Sequence, residues 1–207
     1  MPSKILAATV SRVLSHPAIW YINFEMNGLV VTGQRYRVVA QAVESGRITC
    51  EVGVEQSKDL PRGSVTVGLY VPEYDQFRFP YENFGSAAGS EKLTIVHEAT
   101  HAIFDLFSAK ETRVLAIDNE TAACLSAALL SRISEMSFGG GMTIGGSTDE
   151  ALKVADTILA ETGDFLKDRR TYTVQPWTTT KLRHAIAVDW NLLDGRAGIV
   201  DIYNGVR

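Results

Sequence analysis

The stretch HEATH at residues 97–101 constrains this chain more than any other feature of its sequence. Its apolar surroundings predict a helix over residues 91–107. Side chains four positions apart share one face of a helix, so both imidazoles can bind a single metal ion. Glu98 would then project beside that ion without being a ligand. On a strand or in a loop, the same five residues would not have this geometry.

A catalytic zinc ion usually has three protein ligands and one open position, so two histidines are not sufficient. Glu120 lies in a second helix, predicted over residues 112–131 and joined to the first by residues 108–111. A short connection makes neighbouring helices antiparallel, which brings position 120 back level with the motif. The sequence therefore predicts one zinc ion, with Glu120 as its third ligand.

These two segments resemble a known family. The stretch VHEATHAIFD at residues 96–105, followed by the pair Asn119-Glu120, is similar to the gluzincin zinc metallopeptidases, the thermolysin-like clan. The resemblance covers residues 93–129 of the chain. The metzincins need a glycine and a third histidine soon after the motif, and residues 104–113 contain neither.

The resemblance implies a zincin-like fold and a minimal zinc metallopeptidase. It assigns the zinc ion to His97, His101 and Glu120, and the general base to Glu98. The reaction implied is hydrolysis of a peptide bond by a metal-activated water, with a peptide or protein as substrate. A strand beside the active helix commonly holds such a substrate, and residues 65–71 or 76–79 are the candidates.

The chain departs from the family at one position. Thermolysin-like enzymes have an aspartate four residues after the glutamate ligand, where it orients a ligand histidine, and this chain has Cys124. A ligating histidine almost always donates its other N–H to a partner. Asp105 and Asp118 are the candidates for that partner, and Cys124 is interpreted as a small core residue.

A peptidase also needs a donor for the oxyanion that forms during hydrolysis. The sequence offers four candidates and does not choose among them: Tyr172, Arg183, His184 and Tyr203. His16 precedes a proline where the first helix ends, and a structural role is expected for it.

Strand patterns come early in the chain and helix patterns dominate later, which favours an α+β fold. We expect one domain over residues 1–207, with a helix and sheet part at 1–90 and a helical part at 91–207. Alternating apolar residues predict strands at 48–54, 65–71 and 76–79. Helical spacing predicts helices at residues 1–14, 35–44, 91–107, 112–131, 148–162 and 180–193, with Ser90 capping the third.

Composition excludes several classes of protein. The chain has 20 basic and 24 acidic residues, a net charge of −4, which does not provide a large nucleic-acid footprint. No apolar run is long enough for a membrane span, and the N-terminus lacks a clear signal peptide. A cytoplasmic location is therefore the default expectation, with signal-independent secretion left open. The two cysteines, Cys50 and Cys124, exclude a disulfide scaffold.

Two other functions stay open from the sequence. One is a catalytically inactive regulatory or binding module that keeps the zincin fold, and the other is a delivered effector or toxin protease. The intact motif argues against the inactive module, because such a module has no need of a general base at Glu98.

Overall fold

The computed structural model describes residues 1–53, 68–108, 112–136, 145–162, 170–189, 200–203 and 205. The helices within these ranges are α1 (Lys4–Leu14), α2 (Gly33–Glu44), α3 (Gly89–Phe107), α4 (Ala116–Ser134), α5 (Gly145–Thr162) and α6 (Thr180–Asp189). The strands are β1 (Asn23–Met26), β2 (Leu29–Thr32), β3 (Thr49–Val52), β4 (Leu69–Val71), β5 (Gln76–Phe79), β6 (Thr112–Leu115), β7 (Tyr172–Thr173) and β8 (Val200–Tyr203). The predicted strand residues 54 and 65–67 and the predicted helix residues 190–193 lie outside the described ranges.

The first two helices form where the sequence predicts them, because each has a polar cap and one apolar face. The hydroxyl of Ser3 accepts the backbone N–H of Leu6 at 3.2 Å, and Thr32 does the same for Arg35. These caps satisfy amide groups that the first turn of a helix leaves unpaired. Helix α2 begins two residues before its predicted start, directly after its cap.

The α+β class is confirmed, and the strands expected early in the chain form one small mixed sheet, in which β5 pairs parallel with β3 and antiparallel with β4. The described strands form three small sheets, ordered β2-β1-β7, β3-β5-β4 and β6-β8. Late segments supply β7, which runs parallel to β1, and β8, which runs antiparallel to β6. Strands β7 and β8 have only two and four residues, so they give little periodic signal in the sequence.

An undetected hairpin joins β1 to β2. Asn27 and Gly28 form its turn, with φ angles of 50° and 80° that suit a tight two-residue connection between antiparallel strands. An Asn-Gly pair between apolar segments is a strong hairpin signal, so the sequence did contain the necessary information.

The helix predicted over residues 112–131 is wrong at its start. Residues 112–115 form strand β6, and α4 begins only at Ala116. The connection between α3 and α4 is therefore longer than the predicted four residues and contains a strand. Val114 is β-branched and pairs with Asp201 of β8, so tertiary pairing determines the local structure here.

Helix α3 lies among α1, α2 and α4. Most of its apolar side chains are buried, as Ala99, Ala102 and Ile103 are each 0% exposed, whereas Phe107 at its end is 45% exposed. The helix begins at Gly89 after Ala88, so the predicted cap at Ser90 is wrong. None of the helices in the described ranges is long and apolar enough to cross a membrane.

Candidate metal centre

The two histidines of the motif face the carboxylate of Glu120 across the contact between α3 and α4. Nε2 of His97 lies 3.2 Å from Oε2 of Glu120, and Nε2 of His101 lies 3.5 Å from Oε1. The two imidazole rings are 5.1 Å apart between centroids. All three side chains are largely shielded from solvent, with exposed fractions of 7%, 11% and 14%. The structure thus brings together the three residues that the sequence predicts as ligands.

Each imidazole lies at a separation from Glu120 that suits two ligands of one metal ion, although the two rings face different oxygens of the carboxylate. Two ligands bonded at about 2.0–2.1 Å to a tetrahedral zinc ion lie about 3.3–3.4 Å apart. The distances of 3.2 and 3.5 Å from the imidazoles to the carboxylate are close to that spacing. Two imidazoles and one carboxylate are also a donor set that zinc commonly uses in catalytic sites.

The polar atoms of the cluster are not satisfied by hydrogen bonds alone. Oε2 of Glu120 is buried and has no hydrogen-bond partner among the described residues, although Nε2 of His97 is near. Nδ1 of His101 is 2.8 Å from Oδ1 of Asn119, so in a neutral ring Nδ1 carries the hydrogen and Nε2 has only a lone pair. A lone pair and a carboxylate that face each other need a cation between them, either a proton on the ring or a metal ion.

The attraction between the imidazoles and the carboxylate also appears in the pKa values of His97 and Glu120. Burial lowers the pKa of His97, but a hydrogen bond with Cys124 and the carboxylate of Glu120 outweigh burial and raise that pKa well above its usual value. Burial likewise raises the pKa of Glu120, and the two imidazoles more than offset it, so that pKa is lowered.

Asn119 orients His101, a role that the sequence analysis did not assign. Its carbonyl oxygen accepts from the ring, and its Nδ2 donates to Asp201 and to the hydroxyl of Tyr203. Ligating histidines usually donate their other N–H in this way. The position of Asn119 next to Glu120 was the signal that could have identified it.

The two carboxylates predicted for that role are engaged elsewhere. Asp105 is fully buried and accepts from the hydroxyl of Tyr70 at 2.7 Å and from the backbone N–H of Gly205 at 3.0 Å. Asp118 pairs with Arg183 and accepts from Nδ2 of Asn27 at 2.9 Å. Asp118 thus anchors the β1–β2 hairpin and α6 to the first turn of α4.

Cys124 is buried, as the sequence predicts, and also lies close to two of the predicted ligands. One ligand atom from each of His97, Glu120 and Cys124 lies within 4.8 Å of the other two, a group that does not include His101. The thiol lies one turn after Glu120 on α4 and hydrogen-bonds to His97, at the position where the chain departs from the gluzincin pattern. Burial is the main cause that raises the pKa of this thiol.

Glu98 points toward an edge strand. Its Oε2 accepts the backbone N–H of Tyr70 in β4 at 2.9 Å, and the residue is 8% exposed. Of the two segments expected to supply a sheet edge, β5 lies in the centre of its sheet and β4 lies at the edge. Strand β4 is therefore the edge next to the motif.

The structure separates the four candidates for the oxyanion donor. Tyr203 is buried beside Asn119, and Arg183 pairs with Asp118. Tyr172 donates to Glu161, and His184 lies exposed on α6. Only Tyr203 is thus hydrogen-bonded to a residue that orients a predicted ligand. The expected structural role of His16 is confirmed, because its Nδ1 accepts the N–H of Ala18 at 3.2 Å in the following 3₁₀ turn.

No protein-family model matches the chain, and neither the curated proteins nor the solved structures include a significant match to it. The gluzincin resemblance therefore depends on the two helical segments alone, and the chemistry of the site has to be argued from its own residues.

Proposed function

We propose that this protein is a zinc-dependent peptidase of the zincin type. The observation that carries the proposal is the convergence of His97 and His101 on the two oxygens of Glu120, at 3.2 and 3.5 Å. A buried carboxylate oxygen without a hydrogen bond supports a cation at this point. The ligand set would be His97, His101 and Glu120, with one position left for a water or a substrate.

Zinc bound by these three ligands would supply Lewis acidity and lower the pKa of a water molecule toward about 7. Glu98 supplies the proton transfers: it takes a proton from the attacking water and returns it to the leaving amine. The hydrogen bond from the N–H of Tyr70 fixes one oxygen of this carboxylate. Its orientation therefore does not have to be established at the moment of reaction.

The same hydrogen bond favours a peptide as the substrate. Because Glu98 binds the backbone of β4 at the sheet edge, a peptide extended along that edge would pass beside the proposed general base. Extended peptides bind to sheet edges through main-chain hydrogen bonds, which place a scissile bond with little dependence on side chains.

The experiment that tests this proposal is the Glu98→Gln substitution, which keeps the shape of the side chain and removes its basicity. We expect the variant to retain zinc and to lose cleavage of a quenched peptide library. Glu150→Gln is the matched control, because Glu150 pairs with Lys153 on the surface of α5, and its cleavage should equal that of the parent. Equal cleavage by parent and Glu98→Gln would exclude the proposed base.

A second function, a catalytically inactive zincin-fold module, is favoured by one observation. The thiol of Cys124 lies close enough to His97 and Glu120 to act as a further ligand. Four protein ligands would close the zinc site, as in structural zinc centres. Zinc bound by a parent protein that cleaves no peptide would favour this module over the peptidase.

A further inference from the structure

Strand β8 places two polar side chains next to Asn119, on the side of this residue that faces away from His101. Asp201 and Tyr203 both accept hydrogen bonds from Nδ2 of Asn119, the residue whose carbonyl oxygen faces His101. Antiparallel pairing of β8 with β6 places them there, because β6 leads directly into α4. Residues separated by more than eighty positions in sequence thus meet at one amide group.

An asparagine amide has two ends of opposite character, an oxygen that accepts and an NH₂ group that donates. The carboxylate of Asp201 can only accept, so it requires the NH₂ end of Asn119 to face β8. The carbonyl end must then face His101. Asn119 is 3% exposed and Tyr203 is 1% exposed, so water has little access to replace these partners.

The orientation of that amide decides which nitrogen of His101 carries a hydrogen. A carbonyl at Nδ1 requires an N–H there, which leaves the lone pair on Nε2, the atom 3.5 Å from Glu120. A rotated amide would present its NH₂ group to Nδ1 and would place the hydrogen on Nε2. The second form cannot bind a metal ion through Nε2, because the lone pair is occupied by the hydrogen.

We propose that Asp201 is a positioning residue that fixes the amide of Asn119, and through it the Nδ1–H tautomer of His101. Tyr203 assists by accepting from the same NH₂ group. The metal-binding part of this inference rests on the proposed function, whereas the effect on the tautomer does not. The C-terminal strand would in this way control whether the site can bind a metal ion.

The test compares the parent with Asp201→Ala by two measurements. Long-range ¹H–¹⁵N correlation spectra of the metal-free protein report which nitrogen of each histidine carries the hydrogen. They are recorded at a pH at which the imidazole rings are neutral. We expect His101 as the Nδ1–H form in the parent and as a mixture of both forms in the variant. Competition with a chelator should show zinc affinity reduced about tenfold, as is usual when a partner of a ligand is lost.

The matched control is Asp156→Ala. This substitution also removes one carboxylate that pairs with a side chain of α4, but on the exposed side of the helix, through Arg132. It should change neither the histidine spectrum nor the zinc affinity. A general loss of stability would affect both variants, and the tautomer would not respond to it.

Unchanged tautomer and unchanged zinc affinity in Asp201→Ala would overturn the inference. If that variant does not fold, Asp201→Asn decides the matter, because its amide can accept or donate and should allow both orientations of Asn119. If Asp201→Ala shifts the tautomer of His101 and the parent binds no zinc, the positioning role is supported and the proposed function is contradicted. If the parent binds zinc tightly and the variant shows no tautomer shift, the proposed function is supported and the positioning role is contradicted.

Discussion

Helix α3 buries polar groups toward both α2 and α4, and these two faces differ in how the groups are satisfied. On the face toward α2, the hydroxyl of Thr100 donates to the carbonyl of Val96 at 2.9 Å and lies 2.7 Å from the hydroxyl of Tyr36. On the face toward α4, His97 and His101 gather around Glu120, and one buried oxygen of that carboxylate has no hydrogen bond.

The difference separates a structural polar contact from a candidate functional one. Thr100 uses its single hydrogen for Val96, so Tyr36 must be the donor of the second bond, and both hydroxyls have a partner. The other face collects acceptor atoms with too few donors, an arrangement that costs free energy unless a cation is present. By their burial alone, the residues on both faces would be assigned to the core of the protein.

The largest expected effect comes from removing a proposed ligand on the face toward α4. We expect His97→Ala and Glu120→Gln to lower the zinc content of the purified protein from about one equivalent to background, because each removes one of the three proposed ligands. Metal analysis after zinc supplementation and gel filtration measures this content.

Tyr36→Phe is the matched control on the other face, and it should keep its zinc because the hydroxyl of Tyr36 bonds to Thr100 and Ser126 and to none of the predicted ligands. Zinc content well below about half an equivalent in the parent would contradict the metal site. Equal losses in Tyr36→Phe and His97→Ala would show that the two faces do not differ as we describe.

A second and smaller effect concerns stability. Free zinc at a hundredfold excess over its dissociation constant should stabilise the folded protein by about 2.7 kcal/mol, because it binds the folded state. In a chain of this size, that corresponds to a rise in Tm of about 5–10 °C. Thermal unfolding with zinc and with a chelator measures the rise, and the same rise in Glu120→Gln would contradict binding at this site.

The sequence was most informative where function depends on local geometry. The spacing of His97 and His101 requires only a helix, and Glu120 requires only that the next helix return alongside it. The distances in the structure agree with both requirements, even though residues 112–115 proved to be a strand. The strand in the connection was not predicted, but Glu120 still lies beside the histidines, because the packing of α4 on α3 determines its position.

The sequence does not indicate hydrogen-bond partners that lie far along the chain. Asp201 and Tyr203 reach Asn119 only because β8 pairs with β6, and nothing near either residue indicates that pairing. The two aspartates chosen instead, Asp105 and Asp118, were nearest in sequence to the ligands. Hydrogen-bond partners of buried groups follow the tertiary fold, and proximity in sequence is a poor guide to them.

The smallest expected effect lies on the structural face and also depends on pH. Tyr36→Phe should reduce the free energy of unfolding at pH 8 by about 1 kcal/mol, the usual contribution of one neutral hydrogen bond. Thr100 keeps its bond to Val96 in this variant, so no buried donor loses its partner. Unfolding by guanidinium chloride measures the difference.

Burial raises the pKa of Tyr36 far above its value in an unfolded chain, which is about 10. Below that pH, both states of the parent keep the proton, and the difference between parent and variant should be constant. Above it, only the unfolded parent releases the proton, so the parent loses up to about 1.4 kcal/mol per pH unit that the variant does not lose. The parent's advantage should therefore disappear near pH 11. A difference that stays constant from pH 8 to 11 would mean that Tyr36 is accessible to water, and the contrast between the two faces of α3 would then be weaker than the structure indicates.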